Sequence, residues 1–210
     1  MKKNTTFAFV IKQKLMKLIL ITTPNFYPGE TDDINALFRA GLETLHLRKP
    51  DANADTLKQW LQAVDADFRN RIVTHEHFEQ AEAFQLKGVH LNRRNPQAPN
   101  GFQGHISCSC HSLQEVVERK PHCTYVLLSP IYNSISKVGY EAAFTTDELK
   151  EAASQGIIDH RVIALGGISK ARLPQISALG FGGAAMLGDI WSHAGSDLIP
   201  YFQQLKHTSL

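Results

Sequence analysis

The sequence predicts an α/β chain closed into a single (β/α)8 barrel. Three observations carry that reading: eight short apolar or β-branched runs, helical patterning between most of them, and glycine turns behind the last two. The runs are LILIT (18–22), TLHLR (44–48), RIVT (71–74), GVHL (88–91), HISCS (105–109), TYVLLS (124–129), RVIALGG (161–167) and GAAML (183–187). Parallel strands need long crossovers, usually helical, so this alternation argues for a parallel sheet rather than a sandwich. An open doubly wound sheet shares the alternation, and the count of eight favours closure.

The connections follow in chain order. Leu57, Leu61, Val64 and Phe68 form one apolar stripe at helical spacing, with Trp60 beside it, so the second strand should be followed by a helix packed on the sheet. The fourth and fifth strands are joined only by NRRNPQAPNGFQG, whose prolines and glycines predict a loop or stunted helix. Ser112 with Glu115, and Thr145 with Glu148, have capping-box spacing and mark two helix starts. Pro174 near a helix start and Gly180 near its end fit the usual asymmetry of helix termini. Ahead of the first strand, residues 1–15 contain an apolar run broken by Lys12 and Lys14, with no small-residue cleavage site. They read as an extension before a barrel domain over 16–210.

Composition narrows the function. The 210 residues are 43% hydrophobic and 20% charged, which fits one soluble domain, and no segment approaches a membrane span. A formal charge of +2 with scattered Lys and Arg excludes nucleic acid as a partner. Cys108, Cys110 and Cys123 cannot all pair within the chain and match no zinc or redox spacing, so a reducing cytoplasm is expected.

In a βα barrel, reactive groups follow the strand ends. His46 and Arg48 share parity on the second strand and point to the same side; Arg48 either pairs with an internal carboxylate or meets a ligand. His111 precedes the Ser112 cap, where a helix N-terminus favours the neutral, proton-accepting imidazole; it is either an acid/base group or one bystander among ten histidines. The loop SPIYNSISK brings Ser129, Ser134, Ser136 and Lys137 together, either as a phosphate binder or as a solvated turn. Gly166 and Gly167 after the seventh strand and Gly188 after the eighth, next to Leu187, occupy the places where barrels cradle phosphate on backbone amides.

LILIT, LHLRK, GVHL, HSLQE, YVLLSPIYNSISK and VIALGGIS, in this order, resemble the thiamin phosphate synthase/TenI superfamily of TIM barrels over residues 16 to about 205. The resemblance implies a small-molecule thiazole phosphate as substrate. Ser134, Ser136, Gly166, Gly167, Leu187 and Gly188 fall on its phosphate side, and Lys137 matches a lysine that reaches a diphosphate. The synthases of that superfamily join a pyrimidine diphosphate to the thiazole with Mg2+ held by two aspartates. Here the matching stretches read Thr74-His75 and HLNRRN, with Asn95 facing the second aspartate, and Glu76 is the one carboxylate nearby. Lys49 lies one place before the lysine of the synthase pattern. Mg2+ prefers carboxylate and water oxygen, so no metal is expected at Thr74, His75 and Asn95.

TenI-type members lack those aspartates, carry His-x-Arg on the second strand and use the histidine after the fifth as proton shuttle. His46, Arg48 and His111 fit that version, with no cofactor required. The preferred expectation is therefore a thiazole tautomerase. A Mg2+-dependent synthase is the alternative and a catalytically silent phosphate-binding homologue the third reading; a homodimer is compatible with all three.

Overall fold

The computed structural model describes residues 16–133 and 143–208. Within them, eight parallel strands close into a barrel in sequence order: β1 (Lys17–Ile21), β2 (Leu45–Leu47), β3 (Ile72–Thr74), β4 (Gly88–Leu91), β5 (His105–Cys110), β6 (Tyr125–Leu128), β7 (Val162–Ala164) and β8 (Gly183–Met186). All eight predicted runs are strands, and β1 pairs with β8 to close the sheet. The helices are α1 (Glu30–Arg39), α2 (Ala54–Ala63), α3 (Glu79–Ala83), α4 (Leu113–Arg119), α5 (Thr146–Ser154), α6 (Leu173–Ala178), α7 (Gly188–Trp191) and α8 (Leu198–Thr208). As its prolines and glycines predict, the β4–β5 connection contains no helix.

The predicted stripe from Leu57 to Phe68 is not one helix. It stops at Ala63, where Val64 turns extended (φ −78°, ψ 136°), and Phe68 lies on a separate 3-10 turn over Ala66–Arg71. Tertiary bonds explain the break: Asn35 Oδ1 accepts the Asp65 amide at 3.0 Å, and Arg69 donates Nε to the Val64 carbonyl at 3.1 Å. Both hydrophobic residues still reach the core side, Val64 buried and Phe68 packed against it, so the periodicity reported burial correctly and geometry wrongly.

Strand alternation sorts the core into two regions. Outward residues such as Leu20, Leu45, Leu47, Val126 and Met186 pack under the helices together with Phe38, Trp60 and Phe202. Each fully buried large aliphatic is worth ~1.5–3 kcal/mol over leaving it exposed. Cys108 and Cys110 also face outward, their sulfurs 4.0 Å apart, and both are free thiols, as is Cys123.

The barrel interior is divided. Ile19, Ile21, Leu127, Ile163 and Ala185 fill one side, as in most such barrels. The inward positions of β2 to β5 instead include His46, His90, His105 and Ser107 beside Val73, with His75 just past β3.

A buried ion pair fixes the outside of β2. Lys49, completely buried, donates to both Glu30 oxygens at 2.6 and 2.8 Å and to the carbonyls of Thr23 and Asn25. Trp60 Nε1 adds a bond to Glu30 at 2.9 Å, tying α2 to α1. Burial dominates both titrations, raising the Glu30 carboxyl and lowering the Lys49 amine. Lys49 has the opposite parity to His46 and is consumed by this pair, so it cannot serve as a ligand-binding lysine.

Candidate active site

A cavity of about 650 Å³ opens at the C-terminal ends of the strands, where loops rather than strands supply most side chains. Ile21, Leu127 and Leu165 give it an apolar wall continuous with the barrel interior. Arg48, Arg93, Arg94 and Arg119 line it as well, against one lining carboxylate, Glu115, so the cavity is built for an anion.

Local structure aims two of the predicted residues into this space. Arg48 follows β2, and its backbone is pinned from both sides by Thr22, whose hydroxyl accepts the Arg48 amide at 2.9 Å and lies 3.1 Å from the Arg48 carbonyl. His111 follows β5. Its Nδ1 lies 3.0 Å from the Ser129 carbonyl oxygen, and its amide donates to Glu115 Oε2 at 2.6 Å. The Ser112 cap is thus half of the predicted box: Ser112 Oγ accepts the Glu115 amide at 3.1 Å, but the returning carboxylate holds His111 instead of Ser112. The shift by one residue turns a helix cap into a clamp on the candidate acid/base. By contrast, Thr145 and Glu148 form the complete box.

The third predicted catalytic residue, His46, lies deeper and does not line the cavity. It is completely buried, with Nδ1 2.9 Å from His75 Nε2 and Nε2 2.6 Å from the Tyr125 hydroxyl. Tyr125 also bonds Ser107, Ser107 lies 2.9 Å from His90 Nδ1, and His90 Nε2 lies 2.9 Å from Ser109. This network starts at His75 and ends at Ser109, both of which line the cavity. Burial lowers the pKa of all three histidines, that of His90 to about 3. Their ligand nitrogens lie within 4.8 Å of one another.

The positions matched to the magnesium aspartates do not converge. Thr74 faces outward and its hydroxyl donates to the Glu76 carbonyl at 2.6 Å. Asn95 folds back to donate to the His75 carbonyl at 2.9 Å. Glu76, the carboxylate near these positions, accepts the Lys49 amide at 2.9 Å and pairs with Arg94 at 2.6 Å. Of this group His75 alone points into the cavity. The donors do not fit Mg2+, which requires several oxygens in near-octahedral array.

On the phosphate side, Gly166 and Gly167 adopt φ +93° and +64°, which favour glycine. A Cβ on Gly166 would stand 2.8 Å from Pro130 Cα, and one on Gly167 would strike the Asn133 carbonyl, so the β7 turn packs directly on the β6 loop. Leu187 and Gly188 begin α7, whose first-turn amides have no helical acceptor. Ser134, Ser136 and Lys137 lie outside the described residues. Sequence reasoning missed His90, Ser109, Tyr125 and the arginines 93, 94 and 119. The first three carried a signal in inward parity; the arginines had none.

The match to a family model decides the lineage: residues 18–190 fit the thiamine monophosphate synthase model. The chain belongs to the thiamine monophosphate synthase family. It is similar to a thiamine phosphate pyrophosphorylase from Bacteroides thetaiotaomicron, whose solved structure is 44% identical, with a TM-score of 0.85, covering 92% of this chain and 98% of that one. A Pyrococcus furiosus thiamine phosphate pyrophosphorylase, 19% identical with a TM-score of 0.74 over 94% of this chain and 96% of that one, shares the fold. Among curated relatives, the thiamine-phosphate synthase of Photorhabdus laumondii is 24% identical over 79% of this chain and 83% of its own. That of Escherichia coli K12 is 26% identical over 75% and 78%. Membership of the thiamine monophosphate synthase family places the chain in thiamine biosynthesis.

Proposed function

We propose that the chain transfers a proton within a thiazole phosphate that also bears a carboxylate, in the manner of a TenI-type tautomerase. The observation that carries this reading is the fixed orientation of His111. A carbonyl oxygen only accepts, so the contact to Ser129 puts the proton on Nδ1 and leaves the Nε2 lone pair to take a proton from substrate carbon. The same Nε2, whose proton exchanges with solvent at the exposed ring, then protonates another position of the conjugated ring system, and the reaction balances with no co-reactant. Arg48, whose planar fork suits a carboxylate, orients the substrate in the same cavity. The phosphate rests on the amides around Gly167 and Gly188 and on Ser134, Ser136 and Lys137. The loss of the aspartate pair and the commitment of Glu76 elsewhere support a reaction that runs without Mg2+.

A synthase reading is favoured by one observation: four cavity arginines could carry a diphosphate without carboxylate-held metal. Two assays separate the readings. In D2O, tautomerisation incorporates one deuterium into the thiazole phosphate, followed by NMR; synthesis yields thiamin phosphate from the pyrimidine diphosphate and thiazole phosphate. Deuterium incorporation lost in His111→Asn supports the proposal. Robust Mg2+-dependent thiamin phosphate formation without exchange overturns it.

A further inference from the structure

We propose that His46, His75 and His90 form a site for one borderline divalent cation of the Zn2+, Co2+ or Ni2+ kind, set inside the barrel and reached from the cavity. This is independent of the proton-transfer reading, since His111 and Arg48 take no part in it. The three residues come from consecutive strands, β2, the end of β3, and β4, and their inward parity brings three imidazoles together without a carboxylate. His46 Nδ1 and His75 Nε2 stand 2.9 Å apart, a few tenths of an ångström short of the roughly 3.3 Å that separates two nitrogens on one tetrahedral zinc at ~2.0–2.1 Å. The ring centroids lie 5.1 Å apart for His46 with His75, 5.1 Å for His46 with His90 and 4.2 Å for His75 with His90, a compact triangle in which the last two rings stack at 25°.

The surroundings supply what metal-bound histidines require beyond the ligand atom. A ligating imidazole gives its second N–H to an oxygen, which fixes its tautomer. His46 has the Tyr125 hydroxyl at 2.6 Å for that purpose. His90 has a serine at 2.9 Å from each nitrogen, so one bond persists whichever nitrogen turns to the ion. Asn92 and Asn95 donate to the His75 carbonyl at 3.2 and 2.9 Å and hold the segment that carries its ring. Burial keeps all three imidazoles neutral, the form that binds metal.

Donor chemistry selects the ion. Imidazole nitrogen suits zinc and its late transition-metal neighbours, while Mg2+ demands oxygen. Three protein ligands leave a fourth position open, and because His75 and His90 line the cavity, that position faces a space whose arginines attract anions. A substrate anion or water would complete the coordination.

The test uses the full chain stripped with chelator, then titrated with Co2+ and with Zn2+. Expected are a visible d–d spectrum of low-symmetry Co2+, displacement by equimolar Zn2+, no competition from excess Mg2+, and a Zn2+-dependent rise in Tm. His75→Asn and His90→Gln should each weaken binding by about a hundredfold or more and abolish the Tm rise. No Co2+ spectrum and no Tm response in the wild type overturns the site and leaves a hydrogen-bonded histidine network. Unchanged binding in both variants also overturns it, assigning the ion to exposed histidines. Should both variants fail to fold, Cu2+ electron paramagnetic resonance of the wild type decides: hyperfine structure from three imidazole nitrogens supports the site, and fewer rejects it.

Discussion

His111 and Ser129 are joined across neighbouring strand ends, the Nδ1 of one lying 3.0 Å from the carbonyl oxygen of the other. The partner is backbone, so no substitution at Ser129 removes it, and the Nε2 lone pair stays directed away from the β6 strand end. Replacing His111 by Asn removes the proton acceptor while retaining a polar side chain of similar reach. General acid/base groups contribute ~10²–10⁴-fold, so kcat for tautomerisation should fall by that factor. The ring is exposed, so Tm should hold. A His111→Asn enzyme with wild-type exchange would remove His111 from the reaction.

Glu115 acts on the same residue from the other side, through its bond to the His111 amide at 2.6 Å. Glu115→Ala should lower kcat about tenfold with little change in KM, and cost about 1 kcal/mol of stability as a helix-start interaction. Glu115→Gln keeps an acceptor oxygen and should restore most of the rate. If Gln and Ala behave alike, the carboxylate charge rather than the clamp matters.

How much of this was legible follows from parity. The alternation in HISCS and GVHL already placed His90, His105, Ser107 and Ser109 on one face, yet polar residues on a barrel strand read as solvent-facing until closure makes that face interior. His46 has the inward parity its sequence predicts, but register puts it one layer below His75. Glu30 had no local signal: an acid in a first helical turn is ordinary, and its partner Lys49 is 19 residues away. The Ser112 cap was legible, but the choice of His111 over Ser112 by the Glu115 carboxylate depends on the angle at which β5 enters α4.

The Glu30–Lys49 pair predicts an asymmetric response. Both heads are buried, so Glu30→Gln strands an ammonium in the core and should destabilise by ~3–5 kcal/mol. At about 2–4 °C per kcal/mol for a domain of this size, Tm falls by ten degrees or so. Adding Lys49→Met removes the stranded charge and should recover much of the loss. Urea melts of the single and double variants check this; a double variant no better than Glu30→Gln alone would mean that packing around Trp60, not charge, sets the cost.

Gly167 tests the phosphate turn. At φ +64° a side chain costs ~1–2 kcal/mol, and its Cβ would strike the Asn133 carbonyl. Gly167→Ala should therefore push the β7 turn away from the β6 loop, raising KM for thiazole phosphate more than it lowers kcat. Gly156, also at positive φ but with open space around it, is the control: Gly156→Ala carries the same backbone strain and should leave KM unchanged.

Acid sensitivity should be centred on the buried histidines, and His105 makes the case. Its Nε2 is buried with no hydrogen-bond partner among the described residues. Burial first, then the nearby Lys87 and Lys17 ammonium groups, lower its pKa from 6.5 to about 4. Between those values the unfolded chain binds a proton that the folded chain refuses, so stability is complete above about pH 6.5 and falls as the pH drops towards 4. His46, His75 and His90 are shifted in the same direction and add to the slope. His105→Phe keeps a ring against Tyr125, whose centroid is 4.7 Å away, and removes one titrating group. Its Tm should decline less steeply than that of the wild type from pH 7 to 5. Parallel declines in the two proteins would assign the acid sensitivity to other groups.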